Sequence, residues 1–118
     1  MNAPLTVAIR DEGGAAVISL IGGVQIDQPE VLRDELMDLL ARGRTRLVVD
    51  LAQLEFIGSA GIAALLDAQH RAKELGGELR LAAPCQRIAN MLRIARVDRV
   101  FRIDADVAAA CEAITARP

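Results

Sequence analysis

The run Leu47-Val48-Val49-Asp50-Leu51 constrains this chain more than any other segment. With one polar member it has no solvent face, so it reads as a strand covered on both sides. Helical patterns flank it. Before it, Val31, Leu32, Leu36, Leu39 and Leu40 recur at helical spacing, with Arg33, Asp34, Glu35 and Asp38 on the other side. Pro29 suits the first turn of that helix and Gly43 its stop. After it, from Ser59 onward, Ile62, Leu65, Leu66, Gln69, Ala72 and Leu75 fall along one side, and Asp67, His70, Arg71, Lys73 and Glu74 largely on the other. Gly76-Gly77 ends that second helix. A buried strand between two amphipathic helices implies an α/β domain with a largely parallel sheet and right-handed crossovers.

The remaining segments complete the pattern. Leu5 to Arg10 alternates as a strand does, Asp11-Glu12-Gly13-Gly14 reads as a turn, and Ala16 to Leu20 resumes as a second strand. Strands joined so tightly form an antiparallel hairpin, and Gly22-Gly23 then breaks the pattern. Glu78 to Ala82 is a further strand, and Pro84 turns the chain into a helix along which Ile88, Met91, Leu92 and Ala95 repeat. Val100 to Ile103 is a short last strand, and Asp104 or Asp106 caps a terminal Ala-rich helix running to about Thr115. The order is ββαβαβαβα, with about four helices in a single domain spanning residues 1–118.

Composition narrows the function classes. The apolar fraction of 53%, with aromatics limited to Phe56 and Phe101, is that of a globular chain. No apolar run is long enough to cross a bilayer, so no direct membrane insertion is expected. Met1-Asn2-Ala3-Pro4 lacks the regions of a signal peptide, which makes a cytoplasmic location the expectation. The net charge is −2, with acids and bases interspersed, and no basic stripe for a phosphate backbone stands out. Nucleic acid is therefore not an expected partner. Cys85 and Cys111 form no C-x-x-C pair and have no His/Cys cluster beside them, so neither a metal nor another cofactor is expected. Cys85 follows Pro84 at an expected helix start, where a helix dipole lowers a thiol's pKa; two free cysteines in a reducing cytosol are the plainer reading.

Ser59 is the candidate functional residue. It stands in Leu54-Glu55-Phe56-Ile57-Gly58-Ser59-Ala60-Gly61-Ile62, where a strand gives way to a helix. Its hydroxyl can cap the helix, attack a substrate or receive a phosphoryl group. Serine is among the best N-caps. Nucleophilic attack meets obstacles: Ile57 stands where a G-x-S-x-G elbow needs glycine, and His70, the only histidine, is about 16 Å along the same helix at 1.5 Å per residue. Lys73, the only lysine, is farther still. The glycine pairs have neither the spacing nor the lysine of a phosphate-binding loop. Modification suits the site, because a helix N-terminus with its unpaired N–H groups tolerates a phosphate. Small neighbours at Gly58, Ala60 and Ala63 leave the hydroxyl accessible and permit close approach of a partner backbone.

The run Val48 to Ile62 resembles the signature of STAS domains, in particular the single-domain bacterial anti-sigma factor antagonists. Gly22, Leu32-Arg33 and the stretch from Leu92 through Val97 to Phe101 extend the resemblance over nearly the whole chain. It implies a STAS-like fold and a binding protein rather than an enzyme. The implied partners are an anti-sigma factor of the serine-protein kinase type, which phosphorylates the serine at the position of Ser59, and a PP2C-type phosphatase that reverses the modification. The implied contact residues are Gln25, Asp27, Gly58, Ser59, Ala60, Gly61 and Ala63. Two positions depart from the family pattern: Gly58 replaces the aspartate usual before the serine, and Gln25 aligns with a second common aspartate, with Asp27 two residues on. Two missing carboxylates make a phosphate or an anionic partner easier to accommodate. The resemblance also allows an accessory subunit of a lipid-transport ABC complex or a signalling scaffold, a role that needs no chemistry at Ser59.

Overall fold

The computed structural model describes residues 5–24 and 29–116. Five strands form one sheet in the order β1 (Thr6–Glu12), β2 (Ala15–Val24), β3 (Arg46–Ile57), β4 (Glu78–Ala82) and β5 (Arg102–Asp104). β1 is antiparallel to β2, and every other pairing is parallel. The helices are α1 (Pro29–Ala41), α2 (Ser59–Glu74), α3 (Gln86–Ile94) and α4 (Val107–Thr115). The ββαβαβαβα order expected from periodicity is the order observed.

The central run behaves as its composition demands. Leu47, Val49 and Leu51 point into a core shared with Leu32 and Leu36 of α1, Leu65 of α2 and Ile88 of α3, while Val48 points the other way, toward Cys111 and Ile114 of α4. Each fully buried aliphatic side chain contributes roughly 1.5–3 kcal/mol of transfer free energy, so three helices hold one sheet face and α4 the other. Gln69, the buried polar side chain of the α2 stripe, is fully engaged. Its Oε1 accepts from Leu79 N at 2.8 Å and its Nε2 donates to Val100 O at 3.5 Å. Gly77 allows the α2–β4 turn to pass against β3: a Cβ there would lie 2.0 Å from Thr45 O, which accepts from Glu78 N.

Several boundaries differ from the sequence reading, each for a local reason. β1 continues to Glu12, and the hairpin turns on Gly13-Gly14 alone, whose φ values of +60° and +95° fit the twist of a two-residue hairpin. Gly22-Gly23 does not end β2; the strand runs to Val24 with register shifts against β3, one of them at this pair, where Gly22 adopts φ +95°. The last strand starts at Arg102, because Val97–Arg99 forms a 3-10 turn and Phe101 is drawn into the core. Leu75 and Ala95, placed on buried stripes by spacing, are exposed at the ends of α2 and α3.

Candidate functional site

β3 outlasts its neighbour on one side. Its pairing with β4 stops at Asp50, while pairing with β2 continues to Ile57, so the last turnings of β3 project beyond the β4 edge before α2 begins. Asp50 anchors the departure point: its Oδ1 accepts from Ala52 N at 3.0 Å and its Oδ2 from Ser19 Oγ at 3.2 Å. Gly58 then takes an extended conformation (φ −86°, ψ 176°) and α2 starts at once, with Ile62 N donating to Gly58 O at 3.0 Å.

This geometry overturns the capping role for Ser59. Gly58 is the N-cap, no side chain caps the helix, and Ser59 is the first helical residue. An N-cap accepts from N–H groups two or three residues ahead because its own backbone is not yet helical; Ser59 is already inside the turn. Its hydroxyl is exposed. Around it, Ala63 is exposed and Gly58 and Ala60 are half-buried, whereas Gly61 is buried and faces the core, so it can shape the surface only by its smallness. Gln25 and Asp27 lie outside the described residues.

α2 forms one wall of each of two shallow grooves. On one side Phe56, Ser59 and Ile62 face Met91, Ile94 and Ala95 of α3 across a space of about 410 Å³ that is lined almost wholly by apolar groups. On the other, Ala60, Ala63 and Asp67 face Glu30 and Arg33 of α1 across about 320 Å³, and the Arg33–Asp67 ion pair at 3.4 Å bridges the two helices. Ile94 lies three residues beyond Met91, on the same side of α3 but off the stripe of Ile88 and Leu92, and is 80% exposed. Its spacing puts it at the margin of the buried face, and the structure leaves it uncovered.

The other reactive side chains stand apart from this face. His70 is exposed and pairs with Glu74 at 3.5 Å. Cys85 is the N-cap of α3 and exposed, with its Sγ 4.0 Å from Leu54 O. Cys111 is buried against the sheet by α4, and this burial, reinforced by Glu12, pushes its thiol up from the ordinary 9.0 to about 11. Among the described residues no group of three or more His, Cys, Asp or Glu could hold a metal ion, and no helix is long and apolar enough to cross a membrane.

A five-stranded sheet with three helices on one face and one on the other, and a serine opening the helix after the central strand, defines a known architecture. The family model described as "Mlab, STAS domain" matches residues 7–104. The chain belongs to the STAS domain family. Within the family, the anti-sigma-F factor antagonist RsfB of Mycobacterium tuberculosis is 36% identical over 64 residues, 52% of this chain and 52% of that protein. The chain thus spans about half the length of the curated relatives it matches. A crystal structure of an anti-sigma factor antagonist from Mycobacterium paratuberculosis superposes with a TM-score of 0.85 at 23% identity, covering 98% of this chain and 100% of the other. The unphosphorylated form of the anti-sigma factor antagonist SpoIIAA superposes with a TM-score of 0.80 at 17% identity, covering 92% and 96%. At these identities the STAS structures establish the shared fold.

Proposed function

We propose that this STAS domain is an anti-sigma factor antagonist whose Ser59 face binds an anti-sigma factor and whose release is triggered by phosphorylation of Ser59. The observation that carries the reading is the exposed serine at the first position of α2, one residue past the N-cap position held by Gly58. A hydroxyl without a structural job can be modified without disturbing the fold. A phosphate there meets the positive end of a 16-residue helix and adds about 1.5 to 2 negative charges to a chain of net charge −2. The scaffold stays rigid and the docking face changes sign. RsfB is itself an anti-sigma-F factor antagonist, and SpoIIAA, which shares the fold, has been solved in phosphorylated and unphosphorylated forms. In this scheme an anti-sigma factor of the serine-protein kinase type is both partner and kinase, and a PP2C-type phosphatase resets Ser59.

Two measurements test the proposal. Intact-mass spectrometry of the protein from its native host should show one phosphoryl increment mapping to Ser59. Calorimetric titration with the serine-kinase-type anti-sigma factor of the same genome should give near-parental affinity for Ser59→Ala and a loss of about tenfold or more for Ser59→Glu, since like charge in an interface costs upwards of about 1.4 kcal/mol. Unchanged affinity for Ser59→Glu would end the switch model. Capture of an ABC ATPase in place of an anti-sigma factor would make the chain an accessory subunit of a lipid-transport ABC complex.

A further inference from the structure

We infer that the groove between the start of α2 and the end of α3 receives an acidic, amphipathic segment of the protein partner. An apolar side chain of that segment would seat against Ile94 and Met91, and its carboxylates would pair with Arg93, Arg96 and Arg99. This inference rests on the reading of the Ser59 face as a partner surface and names the chemistry of the occupant.

Charge is the first argument. Between residues 87 and 102 the chain carries Arg87, Arg93, Arg96, Arg99 and Arg102 against the single acid Asp98, in a protein whose net charge is −2. All five arginines are exposed, and among the described residues none is in an ion pair, although Arg93 donates to Asn90 Oδ1 at 3.0 Å; of the other described arginines only Arg46 is likewise outside an ion pair, whereas Arg10, Arg33, Arg42, Arg44, Arg71 and Arg80 are in one. Two of the five, Arg93 and Arg96, bracket Ile94 and Ala95 of the groove wall in sequence and Arg99 follows in the 3-10 turn, whereas Arg87 stands at the other end of α3. A helix C-terminus favours a cation in its last turn, and that accounts for Arg93. It does not account for Arg96, which holds a left-handed conformation (φ +63°) immediately after α3, where glycine is the unstrained choice. Nor does it account for Ile94, 80% exposed between these two arginines in sequence.

The occupant follows from the groove's chemistry. An apolar groove wall whose Ile94 and Ala95 are bracketed in sequence by Arg93 and Arg96 matches an apolar anchor flanked by carboxylates, which arginine holds in a planar, bidentate geometry. A concave groove between two helices accepts a side chain better than it accepts a flat bilayer, and the acidic remainder of the molecule opposes an anionic membrane. Gly58 in place of an aspartate removes a carboxylate from the groove's edge. The same chemistry explains release: a phosphate on Ser59, which lines this groove, repels an acidic occupant directly.

The test uses the full chain. Ile94→Ser and the pair Arg93→Gln/Arg96→Gly should each weaken calorimetric binding to the anti-sigma factor by about tenfold. Added salt should weaken the parent more than the arginine variant. Arg96→Gly alone should raise the melting temperature while lowering affinity, a combination that a folding defect cannot produce. In parallel, amide shifts of the labelled chain are followed with a synthetic helix carrying Leu anchors and flanking Glu, and with its Lys-for-Glu counterpart. Movement of residues 91–96 and Ser59 with the Glu peptide alone supports the inference. Equal shifts with both peptides overturn it, as does sedimentation of the chain with phosphatidylglycerol vesicles while the Glu peptide leaves the groove unmoved. If Ser59→Glu abolishes binding and the groove variants do not, the groove assignment falls and the functional reading stands. If the parent does not bind the anti-sigma factor, the functional reading falls and the peptide pair decides the groove by itself.

Discussion

Helices α2 and α4 begin in opposite ways. At α4, Asp106 is a full N-cap: its carboxylate accepts from Ala109 N at 2.7 Å, and the helix behind it packs Ala110, Cys111 and Ile114 against the sheet. At α2, the N-cap is Gly58, which has no side chain to offer, and the adjacent serine projects into solvent between two grooves. The same backbone problem, unsatisfied N–H groups at a helix start, is solved by a side chain in one place and left to water or to a partner in the other. α3 likewise starts without a side-chain cap, at Cys85, so what sets the start of α2 apart is the exposed serine beside it. Both α2 and α4 pack on the sheet, and α2 alone of the two opens on an exposed hydroxyl.

The sharpest test of the α4 half concerns Cys111. Its folded-state pKa is raised to about 11, so the folded chain holds the thiol proton more tightly than the unfolded chain does. The resulting stability is fully present below the ordinary value of 9.0 and is lost as pH climbs from there through about 11. Urea unfolding across that window should therefore show a parental loss, on the order of 2 kcal/mol by linkage, that Cys111→Ala lacks. Parallel pH profiles for the two proteins would show that α4 does not seal this side of the sheet. Next in size, Asp106→Ala should cost about 1 kcal/mol of stability by removing the cap, with affinity for the anti-sigma factor unchanged. A binding defect in this variant would break the division of labour between the two helix starts. The smallest effect is expected at Gly58. Its extended backbone is suited to a capping residue, so Gly58→Asp should stabilise the chain by a few tenths of a kcal/mol. The new carboxylate should also weaken binding of an acidic partner segment, so a gain in both stability and affinity would count against the groove assignment.

Much of this fold is legible in the sequence because its signals are periodic and local. The Leu47–Leu51 run forces cover on both faces, Pro29 and Asp106 mark helix starts, and Glu78–Ala82 is a strand with the bounds expected of it. Legibility fails where one residue of register or one tertiary contact decides. Val100-Phe101 reads as strand, yet burial of Phe101 in the core sets the start of β5 two residues later. Ser59 reads as an N-cap, because serine is among the best residues there; the extended backbone at Gly58 puts the cap one residue earlier. The groove beside Ser59 is invisible to any window along the chain, since its walls come from residues 56–62 and 91–95.

The sequence by itself therefore determined the class of fold, the family and the serine on which attention falls. These follow from hydrophobic period, turn chemistry and a short motif, all properties of neighbours along the chain. Tertiary structure alone decided that Ser59 stands exposed one residue past the N-cap instead of capping, and that Ile94 is left uncovered. It also decided that the arginines between residues 87 and 102 stay exposed and, among the described residues, outside any ion pair. The physical reason is common to all three: exposure, pairing and groove formation depend on what the rest of the molecule leaves uncovered.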